Sequence, residues 1–258
     1  AFHGIGDEGA TTIASALCDN DSVAHLNLEG NWIGPEGAAS LAEILCHNAK
    51  LRIVNLGHNP LGDEGAILLS EALGVNGHIR TLDLSHAEIG DEGLKCLAQS
   101  LYHNRHTNAL YLDHNVFGDE GAIALANALR CNIGIKILGI HSNDIGPSGI
   151  QAIAESLKYN HTLRSLYLHD NDDASSSSTV TALVEALRYN HSIRSIVWTT
   201  SCYPSKANDS EKLLEKMICA NREGTTEAKR IKATMNIAPS EPVQEPELVP
   251  AKTSSHPS

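Results

Sequence analysis

The chain has 258 residues, of which 41% are hydrophobic and 4% aromatic, and its formal net charge at pH 7 is −12. This acidic balance repels phosphate backbones and anionic lipid, which argues against nucleic acid and membrane surfaces as partners. The apolar fraction suffices for a continuous core, and the low aromatic content favours a core of Leu, Ile and Ala.

One segment, Leu110–Leu129, recurs along the chain with a period of 28 residues. A fixed period of this size is typical of a solenoid, in which each unit packs only on its neighbours. Two members of the unit return in register, an asparagine at Asn31, Asn59, Asn115, Asn143 and Asn171, and a glycine at Gly6, Gly34, Gly62, Gly90, Gly118 and Gly146.

In chain order, the first element is a helix over residues 6–17, the second half of a unit whose strand is missing. Each later unit predicts a short strand, with apolar residues flanking one polar position, and then a helix. The first such helix carries Ala38, Leu41 and Leu45 on one stripe at helical spacing. The apolar strand segments begin at Val23, Leu51, Ile79, Leu110, Ile135, Leu163 and Ile193.

The acidic pairs at the helix starts resemble catalytic or calcium-binding carboxylates, but they recur in turn after turn. The Asp of each pair is replaced by Pro35 and Pro147 in two units, as expected for the first helical residue. We therefore assign the pairs to helix initiation. A second asparagine series, expected to end the helices in left-handed geometry, comprises Asn20, Asn48, Asn76, Asn104, Asn132, Asn160 and Asn190.

Two irregularities interrupt the array. Ala87 stands where the strand-end asparagine is expected, so the asparagine hydrogen bonds should break there. The segment Ser175–Ser178 replaces the usual helix start, with two residues inserted. It could be a modification site or a flexible loop, and we favour the loop.

We predict three regions: a repeat array over 1–201, with about six full units and a truncated first one, a capping helix region over 202–221, and a disordered tail over 222–258. No signal peptide or membrane-spanning run is visible. The six cysteines have no metal-site spacing, and we expect their thiols to be reduced and buried. We also expect the protein to be cytoplasmic and monomeric.

The unit Leu-x-x-Leu-x-Leu-x-x-Asn-x-Ile/Leu-Gly-Asp-Glu-Gly-Ala resembles the ribonuclease-inhibitor type of leucine-rich repeat over about residues 5–198. The resemblance implies an α/β solenoid, a horseshoe arc with parallel strands on the concave face and helices on the convex face. Proteins with this repeat include ribonuclease inhibitors, NOD-like receptors, Ran GTPase-activating proteins and tropomodulin-like regulators, which usually present a surface to another protein.

If the strands line the inside of an arc, the residues between and after the strand leucines are exposed there. Tyr111 and Tyr167 are the best anchors, because exposed aromatic residues carry much interface energy, and Trp32 is similar on the turn side. A histidine row suggests a metal site or a pH-sensitive contact, but metal ligands must converge, so we favour a polar binding surface. The predicted partner-binding residues are Asn55, His58, Asp83, His86, Tyr111, Asp113, His114, His141, Tyr167 and His169.

These features favour a non-catalytic scaffold that binds another, unidentified protein on the concave face, with no cofactor and no metal. Two alternatives remain open. The chain could regulate a GTPase in the manner of Ran GTPase-activating proteins, or it could form the ligand-sensing arm of a larger protein of the NOD-like receptor type.

Overall fold

The computed structural model describes residues 3–172, 174–199 and 209–223. Short strands and helices alternate along these ranges: α1 Gly6–Cys18, β1 His25–Asn27, α2 Pro35–His47, β2 Ile53–Asn55, α3 Gly62–Val75, β3 Thr81–Asp83, α4 Asp91–Leu101, β4 Ala109–Tyr111, α5 Asp119–Cys131, β5 Ile137–Gly139, α6 Pro147–Leu157, β6 Ser165–Tyr167, α7 Ser177–Tyr189, β7 Ser195–Val197 and α8 Asp209–Glu223.

The strands form one parallel, seven-stranded sheet in sequence order, from β1 to β7. The register follows the repeat, since Asn27 pairs with Asn55 and Tyr111 with Gly139. Strands in a sheet lie about 4.8 Å apart, whereas packed helices lie about 8–10 Å apart, so a stack of such units must curve with its strands inside. The predicted α/β solenoid arc, with a concave strand face and a convex helix face, is confirmed.

The core lies between the sheet and the helices as one continuous cluster of buried side chains. The middle residue of each strand points into it, as Leu82 and Leu110 do. From the helices come small and branched residues such as Ala122 and Leu125. Among the described residues, no helix has the length and hydropathy that a membrane span requires.

The strand-end asparagines form a ladder of buried hydrogen bonds from one unit to the next. Asn115 Nδ2 donates to the carbonyls of Leu84 and Leu112, and its Oδ1 accepts from the backbone N–H groups of Ala87 and Ile89. The predicted break at Ala87 is present, because the Leu61 N–H donates instead to the Asn59 carbonyl at 2.8 Å.

The helix-start aspartates do more than favour their own helix. Asp63 Oδ1 accepts from the N–H groups of Gly90 and Gly93, and Asp91 Oδ1 accepts from those of the following unit. Each aspartate therefore caps the next helix in the array. This accounts for Pro147, because the following unit begins its helix with its own cap: the Ser176 hydroxyl accepts from the Thr179 N–H at 3.1 Å. The helix after Pro35, α3, has no side-chain cap.

The prediction of a loop at Ser175–Ser178 is therefore wrong for its second half, since Ser177 begins α7 and Ser176 caps it. The sequence Ser-Ser-Ser-Thr places a hydroxyl three residues before a backbone N–H, which is the spacing of a helix cap. The inserted residues are taken up before the cap, and the sheet register there shifts to pair Ser165 with Ser195.

The expectation that the second asparagine series has left-handed geometry is also wrong. Asn48 and Asn76 are extended, with φ of −70° and −72°. Their side chains explain the repetition instead. Asn104 follows α4, and its Nδ2 donates to the Leu73 carbonyl near the end of α3, the helix of the preceding unit. Its Oδ1 accepts from the N–H groups of His106 and Thr107.

Helix α8 closes the described part of the array and continues this second ladder. Leu214, Met217 and Ile218 are buried against the last unit, and Asn221 Nδ2 donates to the carbonyls of Asn190 and Ile193. The division at 201 and 221 stays a prediction. Residues 200–208 and 224–258 lie outside the described residues, and they include the expected disordered tail apart from Arg222 and Glu223, which end α8.

The expectation of buried thiols is wrong for all five described cysteines, since Cys18, Cys131 and Cys219 are exposed and Cys46 and Cys96 are only partly buried. All five are free, as expected. The three exposed positions lie on helices at places that the apolar stripe does not use.

Candidate partner-binding face

The concave face consists of the outward-pointing first and third residues of the strands, together with the residues two, three and five positions after each strand. All ten predicted partner-binding residues belong to it. Asn55, Asp83, Tyr111 and Tyr167 end strands β2, β3, β4 and β6. Asp113, His141 and His169 follow two positions later, and His58, His86 and His114 follow three positions later.

The residue three positions after each of the strands β1 to β6 has left-handed backbone geometry. His58, His86 and His114 have φ of 55°, 53° and 55°, as do Gly30, Ser142 and Asp170 within a few degrees. A non-glycine residue with positive φ is uncommon and is retained only where the surrounding structure enforces it. Here the parallel ladder enforces it in every unit, so the histidine side chains leave the sheet at the same angle.

The predicted histidine row is present and is longer than the sequence indicated. The rings of His58 and His86 stack with centroids 3.9 Å apart, and those of His86 and His114 stack at 4.1 Å. His114 meets His141 edge to face at 4.9 Å, and His141 stacks on His169 at 4.2 Å. In the described ranges, no group of three or more His, Cys, Asp and Glu residues is placed to hold a metal ion. Stacked rings give a continuous aromatic surface.

Two histidines of the row have lowered pKa values, which favours their neutral forms. Burial, together with the neighbouring rings of His169 and His114, lowers the pKa of His141 to about 4. The pKa of His86 is lowered by burial and by His114 and His58 on either side. Charging one ring would place a cation against another ring of the row, so we expect the histidines to act as hydrogen-bonding aromatics.

Gly139 creates a notch in the middle of the face. It pairs in register with Tyr111 on one side and Tyr167 on the other. A Cβ at Gly139 would overlap the Asp113 carboxylate, which occupies the space that a side chain would fill. Asp113 Oδ1 accepts from the His141 N–H at 3.0 Å. The notch therefore has tyrosine walls and a carboxylate floor.

Asp113 is 8% exposed, and burial raises its pKa to about 6. His141 Nε2 lies 3.5 Å from Asp113 Oδ1. The contact is nevertheless not an ion pair, because the pKa of His141 is near 4 and that of Asp113 near 6. No pH has both groups mostly charged.

The raised pKa gives a testable pH dependence. Relative to an unfolded value near 3.8, it contributes stability below pH 3.8 that is lost as the pH rises through about 6. We expect Asp113→Asn to stabilise the fold by about 1–3 kcal/mol at pH 7, with a gain that shrinks towards pH 4. The amide oxygen can still accept from the His141 N–H. Urea unfolding at several pH values measures this.

The matched variant Asp144→Asn removes one carboxylate from an exposed site of the same face. It should leave the free energy of unfolding within about 0.5 kcal/mol of the parent. An equal gain in both variants, or a gain for Asp113→Asn that is constant from pH 4 to pH 7, would contradict a buried, neutralised carboxyl group.

The charge of the concave face has one sign. Over the units of β1 to β6, its positions contain no Lys or Arg, and they carry seven carboxylates: Glu29, Asp83, Glu88, Asp113, Asp144, Asp170 and Asp172. The sequence analysis missed this feature, although counting charges by repeat position would have found it. It also missed the first residue of each strand, including Ile53, which is 37% exposed.

Comparison with known proteins agrees with this architecture. Five segments match the family described as Leucine Rich repeat, at residues 20–42, 47–70, 75–98, 103–126 and 135–154. The chain therefore carries leucine-rich repeats over these segments. No curated protein matches it in sequence.

Two solved structures are similar to the chain. The C-terminal domain of tropomodulin from Caenorhabditis elegans has 18% identity and a TM-score of 0.51, covering 58% of this chain and 92% of that domain. The actin-binding site 2 of leiomodin-1 has 15% identity and a TM-score of 0.47, covering 78% of this chain and 95% of that one. At such identities, the tropomodulin likeness shows a shared fold alone.

Proposed function

We propose that this protein is a non-catalytic scaffold of the ribonuclease-inhibitor type of leucine-rich repeat, which binds another protein on its concave face. The observation that supports this best is a combination on one face. Two tyrosines lie on either side of Gly139, and the face carries carboxylates but no Lys or Arg. The proposal includes a monomeric protein in the cytoplasm, where free cysteines such as the exposed Cys18 and Cys131 are stable.

The tyrosines suit the role of anchors. Tyr111 and Tyr167 are half-buried at their bases, so a partner that covers them needs to order little additional structure. Between them, Gly139 has no side chain, and the Asp113 carboxylate lies against it. Burial raises the pKa of Tyr111, so its hydroxyl stays protonated and can donate a hydrogen bond.

The charge of the face defines the chemistry of the partner. Its carboxylates attract a basic protein surface and repel an acidic one, which sets both specificity and the rate of encounter. The acidic pairs that might suggest catalysis have another use, since Asp63 and Asp91 accept hydrogen bonds from backbone N–H groups at helix starts. We therefore expect the partner to present Arg and Lys residues.

Replacing Tyr111 and Tyr167 by alanine tests the proposal. The partner is first isolated by affinity pulldown with the parent protein. We expect the double variant to lose about tenfold or more in affinity for that partner, because truncating central aromatic anchors removes most of the binding energy that they carry. Binding of the parent should also weaken as salt rises from 50 to 300 mM. Calorimetry or surface plasmon resonance with the purified partner measures both effects.

The control replaces exposed apolar residues on the helices, Val75→Ala with Ile123→Ala, which are 70% and 40% exposed. It removes a similar apolar area from outside the concave face and should leave affinity unchanged. If the helix variant loses affinity and the tyrosine variant does not, the binding face is the convex one and the proposal is wrong.

A further inference from the structure

A shallow cleft of about 280 Å³ opens at the edge of the concave face, where strands β1 to β3 end. Trp32, His58, Pro60, His86 and Glu88 line it. Trp32, Pro60 and Glu88 occupy the same position in three successive units, five residues after each strand. The cleft lies about two units away from the Tyr111–Tyr167 notch along the array.

The repeat pattern is broken at this cleft. Ala87 interrupts the asparagine ladder, and the turn at Pro60 is rebuilt around the hydrogen bond from the Leu61 N–H to the Asn59 carbonyl. Gly62 then takes φ of 61°, as Gly6 does at the start of α1 with 62°, whereas Gly34 has φ of −97°. Departures from a local pattern that bring no packing gain are expected at functional sites.

The backbone is also unusual at two residues that line the cleft, Trp32 and Glu88. Trp32 and Glu88 both have φ of 60°, and at this repeat position the only other described residue with positive φ is a glycine, Gly4. Left-handed backbone geometry is energetically unfavourable for a bulky residue such as tryptophan. Trp32 nevertheless remains 75% exposed. Trp32 therefore holds its indole ring in solvent in a strained backbone conformation, in the same cleft that Glu88 lines.

The lining selects a planar cation. The faces of Trp and other aromatic rings attract guanidinium groups, and a carboxylate pairs with the same group through two parallel hydrogen bonds. An anionic ligand would be repelled by Glu88, and a purely apolar one would leave that carboxylate desolvated without a partner. The stacked rings of His58 and His86, 3.9 Å apart, form an aromatic wall beside it.

We propose that this cleft, the Trp32 cleft, binds an arginine side chain of a partner protein, with the guanidinium stacked on the Trp32 indole and paired with the Glu88 carboxylate. The proposal rests on the proposed function only in that the arginine belongs to the protein bound on the concave face. It gives that partner a second, chemically defined contact.

Trp32 itself reports on the binding. The chain has two tryptophans, and the other, Trp198, is 8% exposed. Titrating the full chain with the peptide acetyl-Gly-Arg-Gly-amide should change the fluorescence of Trp32, with a dissociation constant on the order of millimolar for so small a ligand. The citrulline peptide keeps the shape and removes the charge, and it should bind at least about fivefold more weakly.

Two variants localise the contact. Glu88→Gln should weaken binding of the arginine peptide by about threefold to tenfold. The control Asp144→Asn removes one carboxylate at the equivalent position of a later unit and should leave the dissociation constant unchanged. Trp32→Phe should abolish the fluorescence change. Because Glu88 and Asp144 are both exposed, neither variant threatens folding.

Three results would overturn the proposal: equal binding of the arginine and citrulline peptides, equal effects of Glu88→Gln and Asp144→Asn, or equal binding of the matching lysine peptide, which would indicate attraction to any cation. The Tyr111→Ala, Tyr167→Ala double variant separates the two proposals. It should bind the arginine peptide normally, whatever its effect on capture of the partner protein.

Discussion

Asn115→Ala should be among the most damaging single substitutions in the array, with an expected loss of about 3–5 kcal/mol in the free energy of unfolding. The side chain is 5% exposed. It donates to the carbonyls of Leu84 and Leu112 and accepts from the N–H groups of Ala87 and Ile89. Alanine would leave these backbone groups buried without partners, and each such group costs about 1–3 kcal/mol.

The matched control is Asn27→Ala, in an exposed residue whose side chain accepts from the Glu29 N–H. Water can replace that hydrogen bond, so the expected cost is about 0.5 kcal/mol. Urea unfolding followed by circular dichroism measures both variants, with the slope of the transition checking that the array still unfolds as one unit. Similar costs for the two variants would show that the ladder does not hold the units together.

The second large effect is expected for Gly149→Ala, at about 2–4 kcal/mol. A Cβ at Gly149 would lie 2.6 Å from Ile145 Cγ2, 2.7 Å from Asp119 Oδ1 and 2.9 Å from Ala122 Cβ. Accommodating it must push α6 away from α5 and break the hydrogen bond from the Gly149 N–H to Asp119. A glycine recurs at this position of the unit, at Gly9, Gly37, Gly65, Gly93 and Gly121. It therefore permits both close contact between neighbouring helices and capping by the aspartate of the preceding unit.

Gly74→Ala provides a control of opposite sign. A Cβ at Gly74 would meet only Ser100 Cβ, at 3.8 Å, which is an ordinary contact. Gly74 lies within α3, where alanine is preferred by roughly 0.5–1 kcal/mol. The two variants add the same methyl group to the same kind of element. Thermal unfolding should show a lower midpoint for Gly149→Ala and a higher one for Gly74→Ala, and a shift of equal sign would refute this account.

The period made most of the fold predictable. Because each unit occupies 28 residues, strand pairing, the Ala87 break and the helix-start position of Pro35 all followed from alignment of the units with one another. The role of Asp91 did not follow from the period. Its carboxylate accepts hydrogen bonds from the start of the next helix, and that contact depends on how the units stack. One signal was available: the unit after Pro147 supplies a serine cap of its own.

The candidate face was predictable in membership but not in arrangement. His114 and His141 are 27 residues apart, so they occupy different repeat positions, and their contact with rings at 84° could not be foreseen from the period. The notch at Gly139 depends on an absent side chain and on the direction that Asp113 takes. Sequence periodicity separates scaffold from variable positions, whereas the contacts among the variable positions require coordinates.

The most direct test of the proposed function is a photo-crosslinking comparison of the two faces. The crosslinking amino acid benzoylphenylalanine is placed at Tyr111 on the concave face, or at Ile123 on α5, and each protein is irradiated with the purified partner. We predict adducts from position 111, attached to Arg- and Lys-containing peptides of the partner and suppressed by salt. Adducts from position 123 with none from position 111 would contradict binding on the concave face.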